Sequence, residues 1–226
     1  MMKVKIAPSL MCMDLMNVQK QMEFFNKKAD YLHVDIIDWH YAKNFCLAPC
    51  FMDQLKEISN VPMDVHLMVD NVDMDLVNLC IDSGAEVITV IPETVEKFMF
   101  RLIDTVKARG KKIGVALNPA TPLETIFMYI HLLDKITFMT VDPGFAGQKF
   151  IRESLDKVRQ AKKLREEKGY HFEIEVDGSC NLKTYKELYD AGIEVFIVGS
   201  SGLFGLDKDL ETAWNKMENN INSEIG

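Results

Sequence analysis

The chain has 226 residues, 48% of them hydrophobic, and its 34 acidic side chains outnumber the 26 basic ones to give a formal net charge of −8. That length suits one large domain or two small ones, and the acidic balance argues against nucleic acid or an anionic membrane surface as a partner. No apolar run approaches the roughly 18–20 residues of a membrane helix, and no basic start with a long apolar run marks a secretory leader. The five cysteines (Cys12, Cys46, Cys50, Cys80, Cys180) lack paired or zinc-type spacing, so a reduced, cytoplasmic protein is expected.

Strand and helix patterns alternate along the chain. A strand over Lys5–Ser9 precedes a helix over Asp14–Lys27, with Leu15, Val18, Met22 and Phe25 at helical spacing. Tyr31–Ile37 reads as the second strand, and Pro49 suits the first turn of a helix running to Ile58. Met63–Met68 is the third strand, followed by a helix over Asp73–Ser83 that stops at Gly84. Glu86–Ile91 precedes a helix over Thr94–Arg109. Lys112–Leu117 precedes Thr121-Pro122-Leu123-Glu124, the pattern of a capped helix start. Lys135–Val141 precedes a helix over Ile151–Lys168, and Phe172–Asp177 precedes one over Asn181–Ala191. Val195–Gly199 precedes a last helix over Leu206–Met217. Eight strand–helix units imply a parallel sheet, and in a chain of this length they predict one (β/α)₈ TIM barrel over residues 1–226. The GxGxxG of the competing open sheet is missing.

Two strands carry acids near their C-terminal ends. Period two puts His33 and Asp35 on one face and Glu175 and Asp177 on one face, opposite their apolar neighbours. An acid inside a strand is costly unless paired, metal-bound or functional. His66 ends the third strand, so His33, Asp35, His66 and Asp177 make a set for one divalent cation. Imidazole with carboxylate suits zinc, cobalt, manganese or iron better than calcium. Glu175 and Asp64 lie one layer below; each either orients a ligand or forms a structural ion pair inside the barrel. Gly144 and Gly147 punctuate one strand-end loop, and Gly178-Ser179 and Gly199-Ser200 end two others. Loops after the last two strands are a frequent phosphate site in this architecture.

These motifs resemble the ribulose-phosphate 3-epimerase family, a set of metal-dependent barrels that bind ribulose phosphate. The resemblance rests on Pro8-Ser9-Leu10, His33-Val34-Asp35-Ile36-Ile37-Asp38, Asp64-Val65-His66-Leu67-Met68-Val69, Asn118-Pro119-Ala120-Thr121-Pro122, Met139 through Gln148, and Glu175-Val176-Asp177-Gly178. It implies one divalent cation per subunit (Zn, Co, Mn or Fe) held by His33, Asp35, His66 and Asp177. Asp35 and Asp177 would be the acid/base pair moving a proton at C3 of a phosphorylated ketose through a metal-stabilised enediolate. Substrate contacts would come from Ser9, His66, Gly144, Phe145, Ala146, Gly147, Asp177, Gly178, Ser179, Gly199, Ser200 and Ser201, with Met68 and Met139 lining the site. A homo-oligomer, dimer or hexamer, is implied as well.

Ser9 through Leu15, Asp177-Gly178-Ser179-Cys180-Asn181 and Val198 through Phe204 look more like the branch acting on D-allulose 6-phosphate, which points to interconversion with D-fructose 6-phosphate and to D-allose catabolism. The alternative is D-ribulose 5-phosphate and D-xylulose 5-phosphate with the same mechanism; pentose-phosphate members usually carry a second glycine where this chain has Ser179. A non-catalytic phosphosugar-binding protein would not need two opposed aspartates. Three positions depart from the family pattern. Trp39 stands where glycine is usual, Lys43 where proline is, and Ile91 where histidine is common. Trp39 either reshapes the pocket mouth or packs outward, and Lys43 either reaches the substrate or stays solvated.

Overall fold

The strands alternate short apolar runs with a few polar side chains, a pattern suited to a parallel sheet buried on both faces. In the computed structural model, which describes residues 4–226, these runs form β1 (Lys5–Pro8), β2 (Leu32–Ile37), β3 (Met63–Met68), β4 (Ala85–Val90), β5 (Lys112–Leu117), β6 (Lys135–Met139), β7 (Glu173–Asp177) and β8 (Val195–Val198). All pair in parallel in the order β1-β8-β7-β6-β5-β4-β3-β2. A bridge between Ser9 and His33 brings the two edges together, so the sheet is a nearly closed barrel. The expected TIM-barrel architecture is the one observed.

The outward faces of the strands, including Leu32, Val34 and Ile36, join the main core against the helices. Inside the barrel, Ala7, Tyr31, Val87, Val195 and Ile197 form a second apolar cluster, with Ile197 reaching the cleft. Ile37, Met68, Ile91 and Ala116 form an apolar patch nearer the C-terminal end of the strands.

The helices are α1 (Val18–Lys28), α2 (Pro49–Leu55), α3 (Met74–Asp82), α4 (Pro92–Val95), α5 (Met99–Ala108), α6 (Ser154–Lys168), α7 (Tyr185–Ala191) and α8 (Leu210–Ile225). Pro49 occupies the first turn of α2, and Asp73 caps α3 by accepting from the Leu76 amide. Several expected boundaries shift, and two changes have a clear local cause. Between β5 and β6 the chain makes two 3₁₀ turns, Leu123–Ile126 and Ile130–Leu132, in place of an α-helix. The Thr121 hydroxyl donates to the Glu93 carboxylate and caps nothing, and the segment is rich in β-branched and aromatic residues with weak helix propensity. The first helix starts at Val18 because Asp14 accepts from the Met16 amide and the Asn17 side chain, which folds residues 14–17 into a turn.

Candidate active site

His33 and Asp35 project from β2 into the barrel, His66 from β3 and Asp177 from the end of β7. The strand register puts Asp35 beside His66 and Met139 beside Asp177. His33 Nε2 lies 3.2 Å from Asp35 Oδ1 and 3.9 Å from Asp177 Oδ2. His66 Nδ1 lies 3.8 Å from Asp35 Oδ1 and 3.6 Å from Asp177 Oδ2. One ligand atom from each of the four residues falls within 4.8 Å of the others. Both imidazoles are fully buried, and none of their four ring nitrogens has a hydrogen-bond partner among the described residues. Buried polar atoms are almost always satisfied. A divalent cation among two imidazoles and two carboxylates would satisfy the facing nitrogens and balance the acids, so the residues fit such an ion.

Electrostatics separate the two aspartates. Burial would raise the Asp35 carboxyl, but His33 and His66 and a 2.8 Å hydrogen bond from the Ser9 hydroxyl hold it below the usual carboxylate range. Asp35 is 1% exposed, whereas the Asp177 side chain keeps 18% exposure, towards the cleft. Burial alone would lower His33, yet Asp35, Asp64 and Asp177 push it well above the ordinary histidine value.

One layer deeper, Lys135 from β6 donates to Asp64 Oδ2 at 2.7 Å and Glu175 Oε2 at 2.8 Å. Its ammonium also lies 4.1 Å from the centre of the Tyr31 ring. Asp64 and Glu175 are therefore ion-paired inside the barrel, one of the two roles open to them from sequence. Gly114 makes room for this layer: a Cβ there would come 2.7 Å from Thr89 Oγ1 and 3.4 Å from Lys135 Cβ.

Above the aspartates a cleft of about 580 Å³, counted out to its open mouth, is lined by Ser9, Asp35, residues 144–147, residues 177–179 and residues 199–201. Met68, Met139, Cys12 and Cys180 complete its walls. Almost the whole expected substrate set is thus brought together. The exception is His66, which is buried beneath the cleft and does not line it. Ser179 takes a left-handed φ of +46° next to Gly178 at +106°, and its hydroxyl donates to the Gln148 carbonyl at 2.6 Å, tying the loop after β7 to that after β6. The loops after β2 and β6 also meet, where Asn44 Nδ2 donates to the Gly144 carbonyl at 2.9 Å. Trp39 packs outward: it stacks on Phe45 with ring centres 5.6 Å apart, and the exposed Lys43 ammonium lies 5.7 Å above it. Neither lines the cleft.

With this geometry in place, comparison with known proteins decides the family. A model of the ribulose-phosphate 3 epimerase family matches residues 5–204. The chain belongs to that family. It is 34% identical over 200 residues to a ribulose-phosphate 3-epimerase of Bacillus subtilis, covering 88% of this chain and 91% of the relative. It is 37% identical over 211 residues to one of Methanocaldococcus jannaschii, covering 93% and 88%. It is 35% identical over 198 residues to one of Escherichia coli K12, covering 87% of each. The chain is accordingly an isomerase of the epimerase class. Among solved structures, 3-hexulose-6-phosphate synthase from Salmonella typhimurium superposes with a TM-score of 0.69 at 20% identity over 97% of this chain and 99% of that one. A 3-keto-L-gulonate-6-phosphate decarboxylase from Vibrio cholerae gives 0.68 at 17% identity over 99% and 100%. At such identities these two establish the barrel fold alone. No helix among the described residues is long and apolar enough to cross a membrane.

Lys135 is a functional residue that the sequence alone presents only as the first residue of a strand. Period two was the available signal, since Lys135, Thr137 and Met139 share the inward face.

Proposed function

We propose that this chain is a metal-dependent 3-epimerase of a phosphorylated ketose, using Asp35 and Asp177 as its proton-transfer pair. The observation that carries the reading is the cleft floor: two aspartates from non-adjacent strands beside four unpartnered imidazole nitrogens. The sequence expectation put D-allulose 6-phosphate first. The named relatives favour the pentose reading, D-ribulose 5-phosphate and D-xylulose 5-phosphate. The hexose phosphate stands as the second reading, favoured by Ser179, a serine held at positive φ where pentose members usually carry glycine.

Asp35, kept ionised by its neighbours, takes the C3 proton from one face of the sugar, and Asp177 returns one to the opposite face. The roles exchange in the reverse reaction. Ser9 fixes the orientation of Asp35 through its 2.8 Å hydrogen bond. His33 and His66 hold the inner side of both carboxylates and, with them, would hold the cation. When bound, a divalent cation supplies Lewis-acid stabilisation of negative charge developing on the ketose oxygens. Residues 144–147, 178–179 and 199–201 offer backbone amides to the phosphate, at the strand ends where such barrels usually bind it.

The reading includes a cytoplasmic location and self-association. Five free cysteines fit a reducing compartment, and exposed apolar side chains such as Met16, Met128 and Phe45 fit burial in a homo-oligomer.

The test is to incubate metal-loaded protein with D-ribulose 5-phosphate and, separately, D-allulose 6-phosphate in deuterated water. Deuterium at C3 of the epimeric product is expected, with the faster substrate naming the branch. No exchange with either sugar, on protein with confirmed bound metal, rejects the epimerase reading.

A further inference from the structure

The deeper ionic layer has a role beyond packing. Thr89 donates to Asp64 Oδ1 at 2.8 Å and Lys135 to Asp64 Oδ2 at 2.7 Å, so both carboxylate oxygens have a fixed donor. Asp64 Oδ2 also faces His33 Nδ1 at 3.9 Å, and no other carboxylate of the described residues lies within ion-pair reach of that nitrogen. On the far side of the ring, Nε2 faces Asp35 and Asp177. His33, Asp64 and Glu175 by themselves have ligand spacing for a cation, but the Lys135 ammonium already sits on both carboxylates.

A neutral imidazole carries one proton on one of its two nitrogens, and the group facing the second nitrogen decides which one is bare. Metal-bound histidines commonly present their other nitrogen to a carboxylate that fixes tautomer and ring orientation. We propose that Asp64, locked in place by Lys135 and Thr89, is a positioning residue for His33: it draws the ring proton to Nδ1, leaving Nε2 bare for the divalent cation, while Lys135 keeps cations out of the lower cluster. This rests on the metal site of the proposed epimerase.

Asp64→Asn and Glu175→Gln form a matched pair. Each removes one buried carboxylate and leaves Lys135 one partner, but only the first removes the group facing His33 Nδ1. The metal-free full-length chain and both variants are titrated with Co²⁺, followed by visible absorption, with circular dichroism to confirm folding. One Co²⁺ per wild-type chain is expected, bound about 10–100-fold more weakly by Asp64→Asn, the range for loss of such a partner. Glu175→Gln stays within about threefold of wild type, because its carboxylate, though in the same cluster, makes no ion pair with the ring and bonds Lys135 and Thr137 instead. Equal weakening in both folded variants, or none in Asp64→Asn, overturns the proposal. An independent check needs no variant: ¹⁵N shifts of the Zn²⁺-loaded wild type place the His33 proton on Nδ1, and a zinc bond at Nδ1 refutes the assignment. Failure of the wild type to bind either metal refutes the metal site itself, a separate outcome from a site that binds but ignores Asp64.

Discussion

Replacing Lys135 with methionine tests how much the fold depends on its internal charge balance. Burial and the ionised Asp64 push the Glu175 carboxyl up to about 8, whereas Lys135 and His33 overcome burial to hold Asp64 far below the usual range. The Lys135 ammonium is therefore the cation that both acids share. Lys135→Met fills the space but takes away the ammonium that bonds both Asp64 and Glu175, in a site with no solvent exposure. Breaking such a pair costs about 3–5 kcal/mol. The two hydrogen bonds lost, at about 1.5–3 kcal/mol each when charged, give a similar figure. For a chain of 226 residues the unfolding entropy is about 0.5 kcal/mol/K, so the midpoint should fall by roughly 6–10 °C. The assay is urea and thermal unfolding in the presence of a chelator, which removes the contribution of bound metal. Lys135→Met with Asp64→Asn deletes both charges and should recover most of the loss, since apolar or neutral replacement of a buried pair is often harmless. A single variant within about 1 kcal/mol of wild type, or a double variant as unstable as the single, would refute the charge-balance argument.

Other expectations follow from the same structure. Asp35→Asn and Asp177→Asn, each on metal-loaded protein, should lower turnover by about 10²–10⁴-fold with the fold intact, and near-normal rates would remove either residue from the proton-transfer pair. Gly114→Ala puts a methyl 2.7 Å from Thr89 Oγ1, so overpacking should cost about 1–3 kcal/mol in urea unfolding; an unperturbed midpoint would mean the interior gives way there. At the other end of the barrel Arg165 forks onto Glu194 at 2.7 and 2.8 Å. Burial would raise the Glu194 carboxyl, but the Arg165 guanidinium and the Ile174 amide hold it below its ordinary value. Its stabilisation is present above the unfolded value of about 4.3 and is lost as pH falls through the lower folded one. Glu194→Gln should flatten stability against pH in that acid window and leave the slope above pH 6 unchanged; an unchanged acid slope would count against it.

Much of this architecture is legible in the sequence because the signals are local. Period-two alternation places His33 with Asp35 and Glu175 with Asp177, and those faces are the ones turned into the barrel. The glycines at strand ends mark the cleft loops for the same reason. What sequence conceals depends on partners far along the chain. Lys135 meets Asp64 across 71 positions and Glu175 across 40, so period two can turn the lysine inward but cannot name the acids it pairs with. The connection from β5 to β6 loses its helix because Thr121 finds Glu93, 28 residues earlier. The last helix runs to Ile225, beyond the expected Met217, because Ile221 and Ile225 continue its buried stripe through a polar stretch that disguises it.

On the proposed reading, the choice between pentose and hexose phosphate would depend on the space between the cleft floor and the loops after β6, β7 and β8. The two sugars would present the same ketose end to Asp35 and Asp177, and they differ by one carbon between C3 and the phosphate. Trp39 and Lys43 lie off the cleft, so they are poor candidates for measuring that length. Ser179 is better placed, because its hydroxyl ties the loop after β7 to Gln148 while its backbone holds a left-handed φ. Ser179→Gly removes the tie and relieves the conformation, which lets the loops settle closer to the floor around a shorter sugar. Loss of one hydrogen bond, about 0.5–1.5 kcal/mol, predicts that the ratio of kcat/KM for D-ribulose 5-phosphate over D-allulose 6-phosphate rises roughly two- to tenfold. A ratio that stays constant, or shifts towards the hexose, would show that sugar length is read elsewhere in the cleft.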